Sequence, residues 1–352
     1  MINIKKFTSV SIAGFAGYLP FWRLSPEQIA TYWQKDSKKL KNSLGIKAKT
    51  VASADEDTLT MAVEASLRAI KQAGISVKKI GAVFVGSESH PYAVKPTGTI
   101  LAQALGMENE FFCADLQFAC KAATTGMQII SCMIEAGVID YGLVVGADKA
   151  QAKPGDALEY TAAAGAAAFI LGKAKKSKTK LIATYSIASD TPDFWRRAHC
   201  KYPTHTGRFT GEPGYFKHIE TCLANFLKKI GKKPEFFDFV VFHMPNPKFP
   251  LKVAKKYGFQ QKQINPGFLV DKIGNPYSAS TLLGLTAVLE QAERNKNVLL
   301  VSYGSGSGSD AFWFKTGTIS KRKNKTPIKN SALGGEKIDY LTYLQNYQIL
   351  ST

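Results

Sequence analysis

FFCADLQFACKAATTGMQIISCMIEAG, residues 111–137, joins a short apolar strand to a helix through a single cysteine, Cys120. The residues before Cys120 suit a strand, those after it carry apolar side chains at helical spacing, and Gly137 supplies the stop. A cysteine at a helix mouth faces unpaired backbone N–H groups and the positive end of the dipole, which favours the thiolate. That position reads as a nucleophile; the plainer reading is a buried, inert thiol.

Working outward, IGAVFVGSES (80–89) reads as a buried strand ending in a polar loop, and DYGLVVGAD (140–148) and GAAAFILG (165–172) as further buried strands. The opening MINIKKFTSVSIAGFAGYLP reads as a first strand rather than a signal peptide, since no cleavage site follows its apolar run. The second half repeats this order. FFDFVVFHMPN (236–246) is a strand ending at His243, PYSASTLLGLTAVLEQAER (276–294) a helix starting near Asn275, and NVLLVSYGSGSG (297–308) and DAFWFKTG (310–317) complete it. Cys120 lies 32 residues after Glu88, and Asn275 lies 32 residues after His243. Equal spacing with matching flanks predicts an internally duplicated α/β unit. The halves are residues 1–175 and 176–317, followed by a basic linker and tail, 318–352. Between them, 185–222 reads as a long binding loop rich in Gly, Pro, Thr and aromatics. SKRKNKTPIKNSALGG (320–335) reads as a flexible linker, and KIDYLTYLQNYQIL (337–350) as a short docking element.

With 352 residues, 45% of them apolar, the chain can bury a large core. It has no run of about 18 apolar residues, so no membrane-spanning helix is expected and a cytoplasmic location is. The five cysteines lack paired or metal-ligand spacing, which argues against a disulfide framework or a metal site; four of them read as small core residues. The net charge of +19 comes largely from lysines, as in 173–180, 228–233 and 321–325. It reads as a solvated basic surface, or as attraction for an anionic, phosphate-bearing small molecule. No nucleic-acid motif accompanies it. The P-loop and dinucleotide patterns are both missing.

Three further features carry chemistry. His243 ends an apolar strand ahead of Met244-Pro245-Asn246-Pro247, a rigid turn that should expose the imidazole, and ligand sites gather at strand ends in α/β sheets. Glu88 sits at another strand end and reads as a general base raised by partial burial, or as a solvated carboxylate. SYGSGSGSD (302–310) reads as a Gly/Ser loop able to offer N–H groups to an oxyanion. His90, His199, His205 and His218 carry no comparable signal.

A strand-end Glu, a helix-start Cys, a strand-end His, the Asn of G-N-x-Y-S-A-S (274–280) and a terminal S-Y-G-S-G (302–306), in that order, resemble the thiolase superfamily. The similarity is greatest to the shorter, archaeal form of the 3-hydroxy-3-methylglutaryl-CoA synthases; it covers nearly all of residues 1–317 and includes GRFTGEPGYF (207–216). The resemblance implies a five-layered αβαβα fold with the site between two halves. It implies that Cys120 takes an acetyl group from acetyl-CoA and that Glu88 deprotonates the acetyl methyl. The enolate then attacks acetoacetyl-CoA held beside His243, and hydrolysis frees the product, a step of the mevalonate route to isoprenoids. By the same resemblance Lys248 and Lys252 contact CoA phosphates, Asn275 and Ser305 lie near the acyl groups, and Asp36, Ser37, Thr161 and Thr210 line the channel. No cofactor is implied beyond the CoA thioesters, which are substrates. A homodimer or larger assembly is implied, with an acetoacetyl-CoA thiolase as a candidate partner. Degradative thiolases have a second catalytic cysteine that GSGSGSD (304–310) lacks, and fatty-acid-initiating ketoacyl synthases lack the Glu. The alternatives are such a ketoacyl synthase, or a non-catalytic scaffold of the same fold.

Overall fold

A computed structural model describes residues 4–37, 44–174, 178–317 and 327–349. Its first half is built on β1 (Val10–Tyr18), β2 (Ile80–Gly86), β3 (Phe112–Leu116), β4 (Tyr141–Lys149) and β5 (Ala164–Lys173). The second uses β6 (Thr179–Ala188), β7 (Phe239–Phe242), β8 (Asn297–Gly304) and β9 (Gly308–Lys315). Strand order is β3-β2-β4-β5-β1 in the first half and β7-β8-β9-β6 in the second. In each half a parallel pair (β2 with β4, β7 with β8) leads into antiparallel neighbours, so the second half repeats the first without a counterpart of edge strand β3. The two sheets join where Ser11 and Ile12 of β1 pair with Lys180 and Thr179 of β6. The expected duplication is therefore present in topology as well as in spacing.

The helices complete the layers. α1 (Thr58–Ala73) starts at a capping box of Asp57 and Thr60, ends at left-handed Gly74, and covers the outer face of the first sheet. α2 (Ala122–Glu135) and α5 (Ser280–Leu289) lie between the sheets, where Phe84, Phe169, Met127, Leu282, Val288, Leu300 and Phe312 form one core. Every residue of α5 is buried, as a helix in a central layer requires. α3 (Phe216–Ile230) and α4 (Lys248–Tyr257) cover the outer face of the second sheet.

Several readings change. Residues 185–222 are not one loop: β6 runs to Ala188, a short helix occupies Gly207–Phe209, and α3 begins at Phe216, because Ile219, Cys222, Leu223 and Phe226 bury one helical face. Pro213 and the small residues before it masked that onset. Within 320–335, residues 327–333 include the helix Ile328–Leu333, anchored by Ile328, which is buried against the central core. The C-terminal segment docks as expected, with Ile338, Tyr340, Tyr343 and Leu344 packing on Leu24, Ile29 and Val51. The lysine run 321–325 and the boundary at 175/176 lie outside the described residues. All five cysteines are unpaired, but only Cys120 and Cys222 are buried, so the core reading fails for exposed Cys132. No described helix is long and apolar enough to cross a membrane.

Candidate active site

The Gly86 end of β2 packs directly on the start of α2: a Cβ on Gly86 would collide with the backbone nitrogen of Ala123. That close approach brings the polar loop after β2 over the loop before α2. Cys120, two residues ahead of α2, donates its thiol hydrogen to Glu88 Oε1 at 2.7 Å. Ala119, just before the cysteine, holds φ at 45°, a left-handed conformation that costs a non-glycine residue about 1–3 kcal/mol. The backbone is strained at the point where it aims the sulfur.

Asp148, which closes DYGLVVGAD, organises this pair, although it was not singled out in the sequence. It is fully buried, and its Oδ1 accepts from the Ser87 hydroxyl (2.8 Å), the Glu88 N–H (2.8 Å) and the Ser89 hydroxyl (2.6 Å). Its Oδ2 accepts from the Ser278 N–H of the second half at 2.8 Å, so one carboxylate pins the Glu88 loop and ties the halves together. An ionisable residue ending an otherwise apolar strand was the signal available for finding it. A second buried link joins Lys121 to Asp310 at 3.1 Å, beside the Asp310 hydrogen bonds to Thr124 and Ser186.

Electrostatics set the protonation of the pair. Burial, with the Asp148 charge adding to it, raises Glu88 to about 8. Burial also pushes the Cys120 thiol well above its ordinary value, reinforced by the charge and hydrogen bond of Glu88. The expected thiolate is thus absent at rest: the helix mouth is outweighed by burial beside carboxylates. Cys120 rests as a thiol bonded to Glu88.

His243 follows β7, but it is 1% exposed rather than presented to solvent, because Tyr215, Tyr303 and Thr281 close around it. Its Nδ1 lies 3.3 Å from the Thr281 hydroxyl, and its ring centroid 6.1 Å from that of Tyr303. Burial lowers its pKa to about 3, leaving a neutral imidazole. Asn275 is also buried; its N–H donates to Thr161 O at 2.7 Å and its Oδ1 accepts from Tyr277 N–H at 3.1 Å. Tyr277, another left-handed residue (φ 39°), packs with Cys120 in one small cluster. The helix start that carries Asn275 and Tyr277 thus reaches the sulfur, and Thr281, one turn on, reaches His243.

A cavity of about 520 Å³ is lined by Glu88, Phe118, Ala119, Arg196, Tyr277 and Ser305, among others. Arg196 Nη2 lies 3.5 Å from the Glu88 carbonyl. Ser305 occupies the tight turn between β8 and β9; the stretch 302–310 is otherwise strand, so less of it is loop than its composition suggested. Lys248 and Lys252 sit exposed on α4, four residues apart and so on one helical face. Thr210 bonds Thr206 O in the irregular turn before α3. Asp36 is exposed and Ser37 half-buried just ahead of the undescribed residues 38–43, and neither lines the cavity. The structure thus joins Glu88 to Cys120 directly and Asn275 to Thr161. Of the site residues named from the sequence only Glu88 and Ser305 line that cavity, with Cys120 reached through Glu88 and Ala119 at its wall. His243, Asn275, Thr161, Thr210, Asp36, Ser37, Lys248 and Lys252 do not line it.

Comparison with known proteins adds to this geometry. Residues 114–191 match the family model of 3-oxoacyl-[acyl-carrier-protein] synthase III, and residues 227–315 that of its C-terminal part. The hydroxymethylglutaryl-CoA synthase of Archaeoglobus fulgidus is 52% identical over 338 residues, covering 96% of this chain and 98% of that protein. That of Methanocaldococcus jannaschii is 50% identical over 333 residues, covering 94% and 96%. Among solved structures, an HMG-CoA synthase complexed with CoA matches with a TM-score of 0.86 at 22% identity, covering 96% of this chain and 90% of that one. The 3-oxoacyl-(acyl carrier protein) synthase III of Pseudomonas aeruginosa matches at 0.80 and 19% identity, covering 89% and 99%. These structural likenesses establish the thiolase-like fold.

Proposed function

This chain belongs to the hydroxymethylglutaryl-CoA synthase family, and from that premise we propose that it condenses acetyl-CoA with acetoacetyl-CoA through an acetyl-Cys120 intermediate. The observation that carries this reading is the 2.7 Å hydrogen bond from the Cys120 thiol to Glu88, a carboxyl raised to about 8. A base with that pKa can accept a proton near neutral pH and return it.

In the loading step the thiol proton passes to Glu88 as sulfur attacks the acetyl carbonyl, and then to the departing CoA thiolate. Glu88, ionised again, takes a proton from the acetyl methyl, which the thioester has made acidic. The enolate carbon attacks the ketone carbon of acetoacetyl-CoA, and protonated Glu88 neutralises the new alkoxide. His243 supplies polarity without charge: the Thr281 hydroxyl beside Nδ1 can donate to it, and in that tautomer Nε2–H is left to bind the ketone oxygen. Water then cleaves the Cys120 thioester. Asn275 and Ser305 contact the acyl groups, and Thr161, Thr210, Asp36 and Ser37 line the channel. Lys248 and Lys252 hold CoA phosphates. The product feeds the mevalonate route, the enzyme works in the cytoplasm as a homodimer or larger assembly, and a thiolase making acetoacetyl-CoA is its candidate partner.

Intact-mass measurement tests the reading. Acetyl-CoA alone should add one acetyl group on Cys120, and acetoacetyl-CoA should then discharge it with release of 3-hydroxy-3-methylglutaryl-CoA. An unlabelled protein would point to a scaffold. Discharge only by a malonyl donor would point to the ketoacyl synthase chemistry of the matched family model.

A further inference from the structure

His90, two residues beyond Glu88, gave no signal in the sequence, yet the structure sets it apart. Its side chain is 6% exposed, and its Nε2 is buried without a hydrogen-bond partner. Nδ1, by contrast, is well held: it lies 2.8 Å from the Thr97 hydroxyl and 3.5 Å from Asp115 Oδ2. Asp115 is itself fixed by the N–H groups of Thr97 (2.6 Å) and Gly98 (2.8 Å). A carboxylate and a hydroxyl at Nδ1 favour the tautomer with the proton there, which leaves Nε2 a bare acceptor. A buried polar atom kept unpaired is uncommon, and a role that needs a free lone pair is one reason to keep it.

The surroundings say what it would accept. His90 lines two neighbouring cavities that also share Ser89 and Gln151. One is the Glu88 cavity described above. The other, of about 440 Å³, sets Asp55, Asp57, Lys149 and Lys201 beside Tyr202 and Tyr347, and the charged part of its wall can hold water. The proposed reaction requires water only at its last step, because earlier entry would waste the acetyl-enzyme. A base on the wall between the Glu88 cavity, which borders the Cys120 loop at Ala119, and a charged one meets that requirement.

We propose that His90 is a further catalytic residue, the base that activates the water cleaving the condensed Cys120 thioester. This rests on the acetyl-Cys120 reading above. The water oxygen attacks the thioester carbonyl while its proton moves to His90 Nε2. The C–S bond then breaks, and the departing sulfur recovers that proton to restore the thiol. The carboxyl group stays on the product, and no oxidant or further reactant is needed.

The test follows the covalent species during turnover in His90→Asn, which preserves a partner for Thr97, and His90→Gln, which keeps a donor near Nε2 but cannot carry a proton. Both should acetylate Cys120 and condense, then accumulate the condensed 3-hydroxy-3-methylglutaryl-CoA adduct on Cys120, with kcat lower by roughly a hundredfold or more. Melting curves identify a variant that has lost its fold, in which case the other decides. Turnover within twofold of wild type, or accumulation of acetyl-Cys120 instead, overturns the proposal. Failure of the wild type to acetylate would overturn the function itself, a separate result.

Discussion

The two halves share a strand order and place their polar residues at corresponding strand ends and helix starts, yet burial drives the two key groups in opposite directions. In the first half it raises Glu88 to about 8, and in the second it lowers His243 to about 3. Low polarity disfavours charge, so an acid is pushed up and a base down. One half thereby holds a carboxyl that can exchange a proton near neutral pH, and the other a neutral imidazole. Duplication supplied the geometry, and residue type decided the role.

Several changes should break or sharpen that division. Cys120→Ala should abolish acetyl incorporation in the intact-mass measurement while leaving the fold intact, since it removes the sulfur proposed to accept the acetyl group. Asp148→Ala should cost the protein about 1–3 kcal/mol for each buried donor it leaves unpaired, a large drop in Tm that scanning calorimetry would register. The pH profile reads the contrast itself. Glu88 works as a base only when ionised, so kcat/KM for acetyl-CoA should rise about tenfold per pH unit below about 8 and level off above it. His243, already neutral, should add no second limb between pH 5 and 8. Thr281→Val deletes the partner of His243 Nδ1, worth about 1 kcal/mol, and should raise KM for acetoacetyl-CoA several-fold with little change in acetylation. Lys248→Ala and Lys252→Ala, both exposed, should each raise KM for the CoA thioesters by only about two- to five-fold, more at low salt than at high.

Much of this was legible in the chain. The matched intervals from Glu88 to Cys120 and from His243 to Asn275 anticipated the duplicated sheets, and apolar runs located their strands. Patterning failed where a residue's environment depends on distant segments. His243 precedes a Pro-Asn-Pro turn that suggests exposure, but Tyr215 and Tyr303, far away in sequence, bury it. Helix-mouth position suggested a thiolate at Cys120, whereas burial, with the charges of Glu88 and Asp148 brought in from elsewhere in the chain, decides its protonation. Asp148 and His90 were overlooked because their partners, Ser278 in one case and Thr97 with Asp115 in the other, are supplied by folding. α3 was missed at its start because Gly-Glu-Pro-Gly (211–214) looks like loop, although the apolar face after it is regular.

Removal of the Glu88 carboxyl is the most direct test of the Cys120–Glu88 pair. Glu88→Ala eliminates the charge and hydrogen bond that add to burial in holding the thiol up, while the helix mouth remains. Mass spectrometry of this variant should find Cys120 acetylated, more slowly than in wild type, and the acetyl group should persist when acetoacetyl-CoA is added. Condensation itself should fall by roughly a hundred- to ten-thousand-fold. Discharge of the acetyl group at the wild-type rate would contradict the account, because the proton would then be carried by some other group.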